Sequence, residues 1–516
     1  MGRSTKREPA RTGRGRVRAA FRVGAAVAAL ALFGCFDPGA GETPPDAQLY
    51  FPVGLALSES GKYLFVVNSD FDLRYNAGTV QALDVTAIEA HAHACEIPPG
   101  SSATSPAAKD CDISDASQFV RGAVRIGAFG ADILGVPRYT GDGDPLDATH
   151  GRLLVPVRGD ATVTFIDYDE TSTGLILGCY RGAKEGDGAP GGRAATACDV
   201  PWRVGTNPSQ NSRQLTLEGE PFSIAAPSYW GAIPRPDPDP TKPTPPIPEP
   251  RRSGGIATVI HQDTGDVSLY VGTVKPSQTL GDLPQARLSF TLGGLPAGGT
   301  SITALDIPET PFTPRFLVTN RSQSNVYVLS YFGDPGTTDR AALFISDIVP
   351  IPTNSAGYDT RGALVDPPTK DEPVTRPIRV FLTNRTPASL VVGEIDPDSK
   401  KLHFYENVPL PLGPSRITRA ELPRLDPDGT TRLHTLLLIA SFDQRQIVTY
   451  DPDLRRIGNV VRVGRGPYAL AIDNVNKLGF VANFTESTVQ VIELDPANTR
   501  YFQEPIYTVG TPLKPI

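Results

Sequence analysis

The sequence lacks the short motifs that the commonest enzyme chemistries require. It contains no G-x-S-x-G nucleophile elbow, no Walker phosphate loop, no H-E-x-x-H zinc motif and no EF-hand loop with its terminal glutamate. The acidic pairs Asp237/Asp239 and Asp426/Asp428 each flank a proline, which favours turns over calcium ligation. The sequence therefore predicts no catalytic residue, no metal and no cofactor.

Long apolar runs are also absent after the N-terminal region. A membrane-spanning helix needs about 20 predominantly apolar residues. No segment after residue 34 approaches 18 in succession. We therefore expect the chain beyond that point to be soluble.

The first 34 residues resemble a bacterial lipoprotein signal peptide. Residues 1–22 carry eight basic side chains and one acid, and Val23–Phe33 is an uncharged run of 11 residues. Such a run is too short to span a bilayer and is typical of a signal peptide. It leads into Gly34-Cys35, which resembles the lipobox, where the cysteine thiol receives a diacylglycerol. The alternatives are an ordinary secretory peptide and an uncleaved anchor.

Cleavage before Cys35 would leave an acidic protein held at a membrane by its lipid. Because eight basic residues and one acid would be lost, the net charge would change from −7 to −14. An acidic surface repels phosphate backbones, which argues against nucleic-acid binding. We expect a cell-envelope protein that faces the periplasm or the cell surface. Phe36, in place of an aspartate after the cysteine, favours the outer membrane.

The four remaining cysteines lie in two pairs that are close in sequence: Cys95 with Cys111, and Cys179 with Cys198. An exported protein folds in an oxidising compartment, so two local disulfides are the simplest interpretation, although four cysteines allow three connectivities. Zinc is the alternative at the first pair, because His91 and His93 are close to Cys95.

Glycine and proline together make up almost a fifth of the chain, with 50 and 51 residues. This composition is typical of an all-β protein with many short strands. Seven segments share one pattern, in which a short apolar run ends in a residue that we call the slot residue, followed by a turn and an alternating strand. The slot residues are Asn68, Val157, His261, Asn320, Asn384, Ser441 and Asn483.

A third strand precedes several of these hairpins, and a fourth follows the turn after some of them. The preceding strand begins with proline at Pro52, Pro221, Pro414 and Pro467, and weaker copies occur near Ser301 and Arg361. Seven units of four strands predict a seven-bladed β-propeller, which protects its sheet edges by radial repetition.

Two of these units carry a family resemblance. Residues 467–495 (PYALAIDNVNKLGFVANFTESTVQVIELD) and 52–68 (PVGLALSESGKYLFVVN) resemble the YVTN family of bacterial β-propeller repeats. The two terminal units match well, the middle five match loosely, and together they span nearly all of the chain after the signal peptide. The resemblance implies a seven-bladed propeller and no particular activity.

The spacing of the units predicts long loops in the N-terminal blades. Successive slot residues are 42 to 104 residues apart, whereas a compact blade needs about 40 to 45. Both cysteine pairs and a proline-rich insertion at 231–252 lie in the surplus. The predicted domains are a signal peptide at 1–34, a lipid-attached linker at 35–49 and the propeller at 50–516.

Three arginines are candidate ligands for an anion. Arg121, Arg361 and Arg416 lie at or near the start of predicted innermost strands, which line the channel of a propeller. Guanidinium groups there would bind a carboxylate or phosphate. The alternative is that they pair with acids between neighbouring blades.

The asparagine slot residues are expected to form local hydrogen bonds at strand ends, because one residue type returns at the same turn in four blades. His261, in the third slot, is a candidate metal ligand, as are His91 and His93. A lone histidine at a turn is more often structural.

Two functions remain open. The first is a non-catalytic scaffold that binds a protein, peptide or glycan through loops of blades 1 to 3; the second is a lactonase-like hydrolase of small esters or lactones. The first is favoured, because no convergent set of His, Asp and Glu recurs and because recognition is commonly placed on loops. Quinone-dependent dehydrogenase propellers use repeated tryptophans, whereas this chain has only Trp202 and Trp230.

Overall fold

Short apolar runs, many of them buried along most of their length, form the strands of this protein, and polar turns separate them. A computed structural model describes residues 41–95, 115–137, 149–179, 197–198, 200–227, 255–273, 286–307, 313–333, 341–352, 359–369, 372 and 376–513. Within these ranges the strands form seven antiparallel sheets, each ordered along the chain. The structure confirms the predicted all-β, seven-bladed β-propeller.

In the described residues of the first three blades there are one α-helix, three short 3-10 helices (Ala116–Gln118, Val200–Trp202 and Pro208–Gln210) and the strands up to β13. In chain order the strands and the α-helix are β1 Pro52–Leu57, β2 Tyr63–Asn68, β3 Gly78–Asp84, α1 Val85–Cys95, β4 Val120–Ile126, β5 Leu134–Pro137, β6 His150–Val157, β7 Thr162–Thr171, β8 Gly174–Gly178, β9 Arg203–Val204, β10 Pro221–Ala225, β11 Ile256–His261, β12 Val267–Val271 and β13 Arg287–Leu292. Blade 1 is β1 to β4, blade 2 is β5 to β9 and blade 3 is β10 to β13.

The other four blades have four strands each. They are β14 Gly299–Ala304, β15 Arg315–Asn320, β16 Asn325–Phe332 and β17 Ala342–Pro350 in blade 4; β18 Thr360–Asp366, β19 Ile378–Arg385, β20 Ala388–Ile395 and β21 Leu402–Pro409 in blade 5; β22 Pro414–Leu425, β23 Thr431–Ser441, β24 Gln446–Asp451 and β25 Arg456–Arg462 in blade 6; and β26 Pro467–Asp473, β27 Leu478–Asn483, β28 Thr488–Glu493 and β29 Pro505–Val509 in blade 7.

The first strand of each blade is its innermost. Strands β10, β14, β18, β22 and β26 contact one another in turn, β26 contacts β1, and blade 2 lies between β1 and β10. The four predicted proline-led strands are therefore confirmed as β1, β10, β22 and β26. Proline is tolerated at the first position of a strand, where the missing N–H breaks no ladder bond.

The core lies between the blades rather than at one centre. Six buried apolar clusters each join neighbouring blades. One joins blades 1, 2 and 3, and the others join blades 3 and 4, 4 and 5, 5 and 6, 6 and 7, and 7 and 1. Phe65, Phe165, Phe316, Phe381 and Phe480 are fully buried in this layer. Burial of such side chains stabilises each interface by about 1.5–3 kcal/mol per residue.

The ring closes without a shared strand. Blade 1 contains only strands from the N-terminal side of the chain, and blade 7 contains only strands from residues 467–509. The junction is made by side chains: Leu64 and Phe480 share one buried cluster, and the Phe51 amide donates a hydrogen bond to Ser487 Oγ at 3.0 Å. Residues before β1 also contact blade 1, where Gln81 donates to the Gln48 carbonyl at 3.0 Å.

Helix α1 follows β3, and its first turn is capped by Asp84, whose Oδ1 accepts from the Ala87 amide at 2.9 Å. Its buried face, with Ile88 and Ala92, packs in the cluster that joins blades 1 and 7. The helix contacts β29, so it supports the closure of the ring from outside.

The disulfide between Cys179 and Cys198 is present, as predicted, with Cα atoms 5.2 Å apart. It links the end of β8 to the segment that leads into β9, and both strands pair with β7. The bond therefore joins two short pieces that share the outer edge of blade 2. Cys111 and the proline-rich insertion 231–252 lie outside the described residues, as do the predicted signal peptide and Cys35.

Candidate functional site

One local irregularity repeats in the inner strands and points side chains into the channel. The first residue of the strand pairs with the slot residue, as Pro52 does with Asn68, and the register then shifts by one residue. Such a β-bulge leaves one residue unpaired and redirects its side chain. In six blades the unpaired residues are Val53, Phe222, Thr300, Arg361, Ser415 with Arg416, and Tyr468.

A second ring of side chains comes from the residue that follows each slot residue. These residues begin the turns between the second and third strands of the blades. They are Ser69, Arg158, Gln262, Arg321, Arg385, Phe442 and Phe484. All of them except Arg321 lie in the wall of one cavity at this end of the channel, together with all the bulged residues except Thr300.

This cavity, which we call the channel mouth, has a volume of about 250 Å³. Its wall combines five aromatic side chains (Phe71, Phe222, Phe442, Tyr468 and Phe484) with four arginines (Arg158, Arg361, Arg385 and Arg416). Among the described residues, no aspartate or glutamate contributes to the wall. The wall is therefore apolar and cationic, on a chain whose overall charge is negative.

The aromatic rings contact one another around Phe484. Its ring centroid lies 5.2 Å from that of Phe71, 5.4 Å from Phe51, 6.3 Å from Tyr468 and 6.4 Å from Phe442. The rings meet in tilted or edge-on geometry, which stabilises such clusters. Phe71 is 54% exposed, so the cluster presents an apolar edge to solvent.

Three residues around Phe71 have left-handed backbone conformations. Asp70 is in the same turn, and the rings of Phe51 and Phe129 contact the Phe71 ring; their φ values are 53°, 47° and 60°. Each such conformation costs about 1–3 kcal/mol for a residue other than glycine and persists only where the surroundings hold it. Strained residues of this kind cluster at ligand sites, and here they surround the rim of the channel mouth.

Asp70 is fully buried at the base of this turn. Its Oδ1 accepts from the Tyr75 amide at 3.0 Å, whereas its Oδ2 has no hydrogen-bond partner in the described part of the chain. Burial, reinforced by the negative charge of Asp72 and opposed by the Tyr75 bond, raises the pKa of Asp70 to about 6. Its carboxyl group therefore titrates close to neutral pH.

Each arginine of the wall has a carboxylate partner that stands behind the wall. Two of the pairs, those of Arg158 and Arg385, join neighbouring blades. Pairing between neighbouring blades was the alternative interpretation of the predicted arginines, and it occurs at two arginines that were not predicted. The four pairs are Arg158–Glu220, Arg361–Asp359, Arg385–Asp443 and Arg416–Asp132.

Arg416 is the most enclosed of the four, with 17% of its side chain exposed. Burial disfavours its charged form, but the nearby Asp132 and Tyr468 outweigh that effect and raise the pKa of Arg416 above its ordinary value. Its guanidinium carbon lies 5.3 Å from the Tyr468 ring centroid, a cation–π distance. The group is therefore a permanent cation in the cavity wall.

Two of the three predicted arginines, Arg361 and Arg416, lie on inner strands in the channel mouth as expected. The predicted position of Arg121 is wrong. It lies on β4, the outer strand of blade 1, and its Nε is 3.1 Å from Asp84 Oδ2. Helix α1 and the segment after it separate β4 from β3, so the fourth strand of blade 1 occurs where the first strand of blade 2 was expected.

The slot residues are structural, as predicted for the asparagines. Asn320 and Asn384 donate to backbone carbonyls at 2.6 and 2.8 Å, whereas Asn68 and Asn483 donate to threonines of the next strand. All four are buried. They hold the turns that bear the second ring of wall residues.

The histidine candidates are also engaged locally. His261 is buried between the Gly219 carbonyl and Ser268 Oγ, both at 2.8 Å, and burial lowers its pKa. His91 contacts the Ala87 carbonyl at 2.9 Å, and His93 Nε2 lies 3.8 Å from Glu89 Oε1. Within the described ranges, no three His, Cys, Asp or Glu side chains form a group that could hold a metal ion.

The arginine and aromatic residues that follow the slot residues were not predicted from the sequence. Alignment of the seven hairpins would have found this position, because Arg occurs there in three blades and Phe in two. No helix among the described residues has both the length and the apolar character that crossing a bilayer requires.

Comparisons with known proteins identify no family. No protein-family model matches the chain, and no curated protein matches it. Solved structures do match over most of its length. Hydrazine synthase from Kuenenia stuttgartiensis is 12% identical with a TM-score of 0.41, over 88% of this chain and 98% of that one.

A proposed 6-phosphogluconolactonase from Bacteroides fragilis is 12% identical with a TM-score of 0.41, over 82% of this chain and 87% of that one. A functionally unknown protein from Desulfotomaculum acetoxidans is 9% identical with a TM-score of 0.40, over 81% and 89% of the two chains. Likeness at this level says nothing of activity, and membership of the YVTN family stays a prediction.

Proposed function

We propose that this chain is a non-catalytic binding propeller that recognises a peptide segment of another envelope protein at the channel mouth. The observation that carries the proposal is the wall itself, in which five aromatic rings and four guanidinium groups converge from six blades. Aromatic residues and arginine are the side chains that contribute most to binding energy at protein interfaces.

The size of the cavity favours a peptide segment. Sites for drug-sized ligands have volumes of about 300–1,000 Å³, and the channel mouth is slightly smaller, at about 250 Å³. It therefore suits one or two side chains of an extended segment whose remainder lies over the rim.

The ring geometry favours a peptide over a glycan. Sugars bind to the exposed flat face of an aromatic ring, whereas the rings around Phe484 contact one another edge-on or tilted. Such a cluster buries apolar side chains more readily than it stacks a sugar.

The test is selection of peptides from a random phage-displayed library against the full-length protein in detergent. We expect the selected peptides to contain an aromatic or branched aliphatic residue. Phe71→Ala and Phe484→Ala should each lower the affinity of a selected peptide at least about tenfold, as expected for central aromatic contacts.

Val475→Ala is the matched control, because Val475 is 83% exposed and outside the channel mouth. Equal affinity for wild type and both phenylalanine variants would overturn the proposal. So would turnover in a screen of lactones and esters that the Phe484→Ala variant abolishes, since the channel mouth would then be an active site.

We also propose that the protein is lipid-anchored in the cell envelope through Cys35, with the outer membrane as its location. The sequence Leu32-Phe33-Gly34-Cys35 after a basic and then an apolar segment supports this. Metabolic labelling with an alkyne fatty acid should label the wild-type chain and not Cys35→Ser. Equal labelling of the two, or no labelling of either, would contradict the anchor.

A further inference from the structure

We propose that the channel mouth selects a ligand with a single carboxylate group, which replaces Asp132 as the partner of Arg416. This inference rests on the proposed function and deepens it, because it names the chemical group that the cationic wall recognises.

Arg416 differs from the other three arginines in where its partner comes from. It lies on β22 of blade 6, whereas Asp132 precedes β5 of blade 2, so this ion pair reaches across the channel. Arg361 pairs with Asp359 two residues away, and Arg385 pairs with an acid in the adjacent blade.

The cross-channel pair is also the loosest. Arg416 Nη2 lies 3.5 Å from Asp132 Oδ2, and this buried nitrogen makes no hydrogen bond within the described part of the chain. Arg385 Nη2, by contrast, donates to both carboxylate oxygens of Asp443 at 2.7 Å. A buried donor without an acceptor is costly, because it loses its hydrogen bonds to water and gains none in return. A ligand oxygen at Arg416 would therefore gain more than one at Arg385.

Asp132 has other partners that would hold it when Arg416 turns to a ligand. Its Oδ2 accepts from Ser223 Oγ at 2.9 Å, and its Oδ1 accepts from the Ile133 amide at 3.0 Å. The Tyr468 ring meanwhile supports the guanidinium group through its face. Asp132 and Arg416 would therefore both keep other contacts after the exchange.

The charges favour a carboxylate over a phosphate group. Four guanidinium groups are matched by four carboxylates behind the wall, so the set is already neutral. A monoanionic carboxylate uses one freed cation, whereas a phosphate monoester brings a charge of about −1.5 to −2 at pH 7. The second negative charge of the phosphate would be repelled by Asp132, and no further cation would be free to balance it.

The experiment measures the affinity of a peptide selected on the channel mouth, in four forms: unchanged, with its acidic side chains replaced by amides, with its C-terminus amidated, and with its acid replaced by phosphoserine. We expect one of the two amide forms to bind at least about tenfold more weakly, which identifies the source of the carboxylate. The phosphoserine form should bind no better than the unchanged peptide.

Two variants test the exchange. Asp132→Asn can keep both hydrogen bonds of Asp132 but removes its charge, so it should raise the affinity of the carboxylate peptide about fivefold and leave the amide form unchanged. Arg416→Gln should lower the affinity of the carboxylate peptide at least about tenfold and have little effect on the amide form. Arg432→Gln, at the exposed start of β23 and outside the channel mouth, is the charge control.

The gain expected for Asp132→Asn cannot arise from misfolding. A peptide whose binding is lost in Phe484→Ala but unchanged in both Asp132→Asn and Arg416→Gln would overturn this inference and leave the proposed function standing. Tighter binding of the phosphoserine form would also overturn it. A library that yields no peptide dependent on Phe484 would overturn both.

Discussion

The two ends of strand β18 carry the same kinds of side chain in opposite arrangements. At one end Arg361 lies in the wall of the channel mouth and its acid stands behind it. At the other end, five residues further and therefore about 16 Å along the strand, Asp366 is fully buried and arginines surround it. The partners of its carboxylate are Arg376, Arg379, Arg419 and Thr435.

The difference lies in which charge is buried. Around Asp366 one carboxylate holds strands β18, β19 and β22 of blades 5 and 6 together, so the ions are part of the framework. At the channel mouth the pair Arg385–Asp443 is 34% and 41% exposed. Ion pairs that water reaches contribute little to stability and exchange partners easily. An arginine near an inner strand therefore indicates a ligand site only where its carboxylate partner is not a fully buried group shared by several arginines.

The largest effect on stability is expected at the buried end. Asp366→Asn should lower the free energy of unfolding by about 3 kcal/mol, because Arg376, Arg379 and Arg419 lose the fully buried anion that they share and each keep only one other, more exposed carboxylate partner. Urea unfolding followed by circular dichroism measures this. A loss below about 1 kcal/mol would show that the two ends of β18 do not differ as described.

A smaller effect, with a characteristic pH dependence, is expected at Asp70 beneath the rim. Its pKa of about 6 lies above the ordinary 3.8, so the folded state binds the proton more tightly than the unfolded state. The stability that the neutral carboxyl retains at low pH is therefore lost as the pH rises through about 6. Asp70→Asn stays neutral and should stabilise the protein by about 1–2 kcal/mol near pH 7.5.

This gain should disappear below about pH 3, where Asp70 is mostly protonated in both states. Unfolding curves for wild type and variant across that range provide the measurement. A constant difference at all pH values would mean that burial does not raise the pKa of Asp70 as described.

The smallest effect is expected at the exposed pair of the channel mouth. Asp443→Asn should change the free energy of unfolding by less than about 1 kcal/mol, because both members of the pair reach water. The same urea experiment compares it directly with Asp366→Asn. A loss as large as that at Asp366 would make the arginines of the wall structural and weaken the comparison.

Repeated features of the fold could be predicted from sequence because each occurs several times. The proline-led strands, the slot residues and the number of blades all came from such repetition, and the structure confirms them. Arg361 and Arg416 were found in the same way, since each lies close to the start of an inner strand.

Features that occur once could not be predicted in this way. Helix α1 lies between β3 and β4 in the chain, so β4 and Arg121 come later in the sequence than a compact blade would place them. The helix was not predicted, because a single helix in an otherwise all-β pattern has no second copy to reveal it. Among the seven turns that follow the slot residues, Phe71 lies in the one that is long. The contact of Asp132 with Arg416 depends on the curvature of the whole ring, which residue spacing does not contain.

The junction between blades 1 and 7 has a mechanical consequence. At the other six junctions the chain itself passes from one blade to the next, whereas here side chains and the Phe51–Ser487 hydrogen bond make the link. Residues 41–50 lead directly into β1. Tension applied at residue 41 would therefore load the contacts of residues 41–50 with blade 1 first. Once these contacts yield, the seam between the first and last blades is the joint that can open without stretching a chain connection.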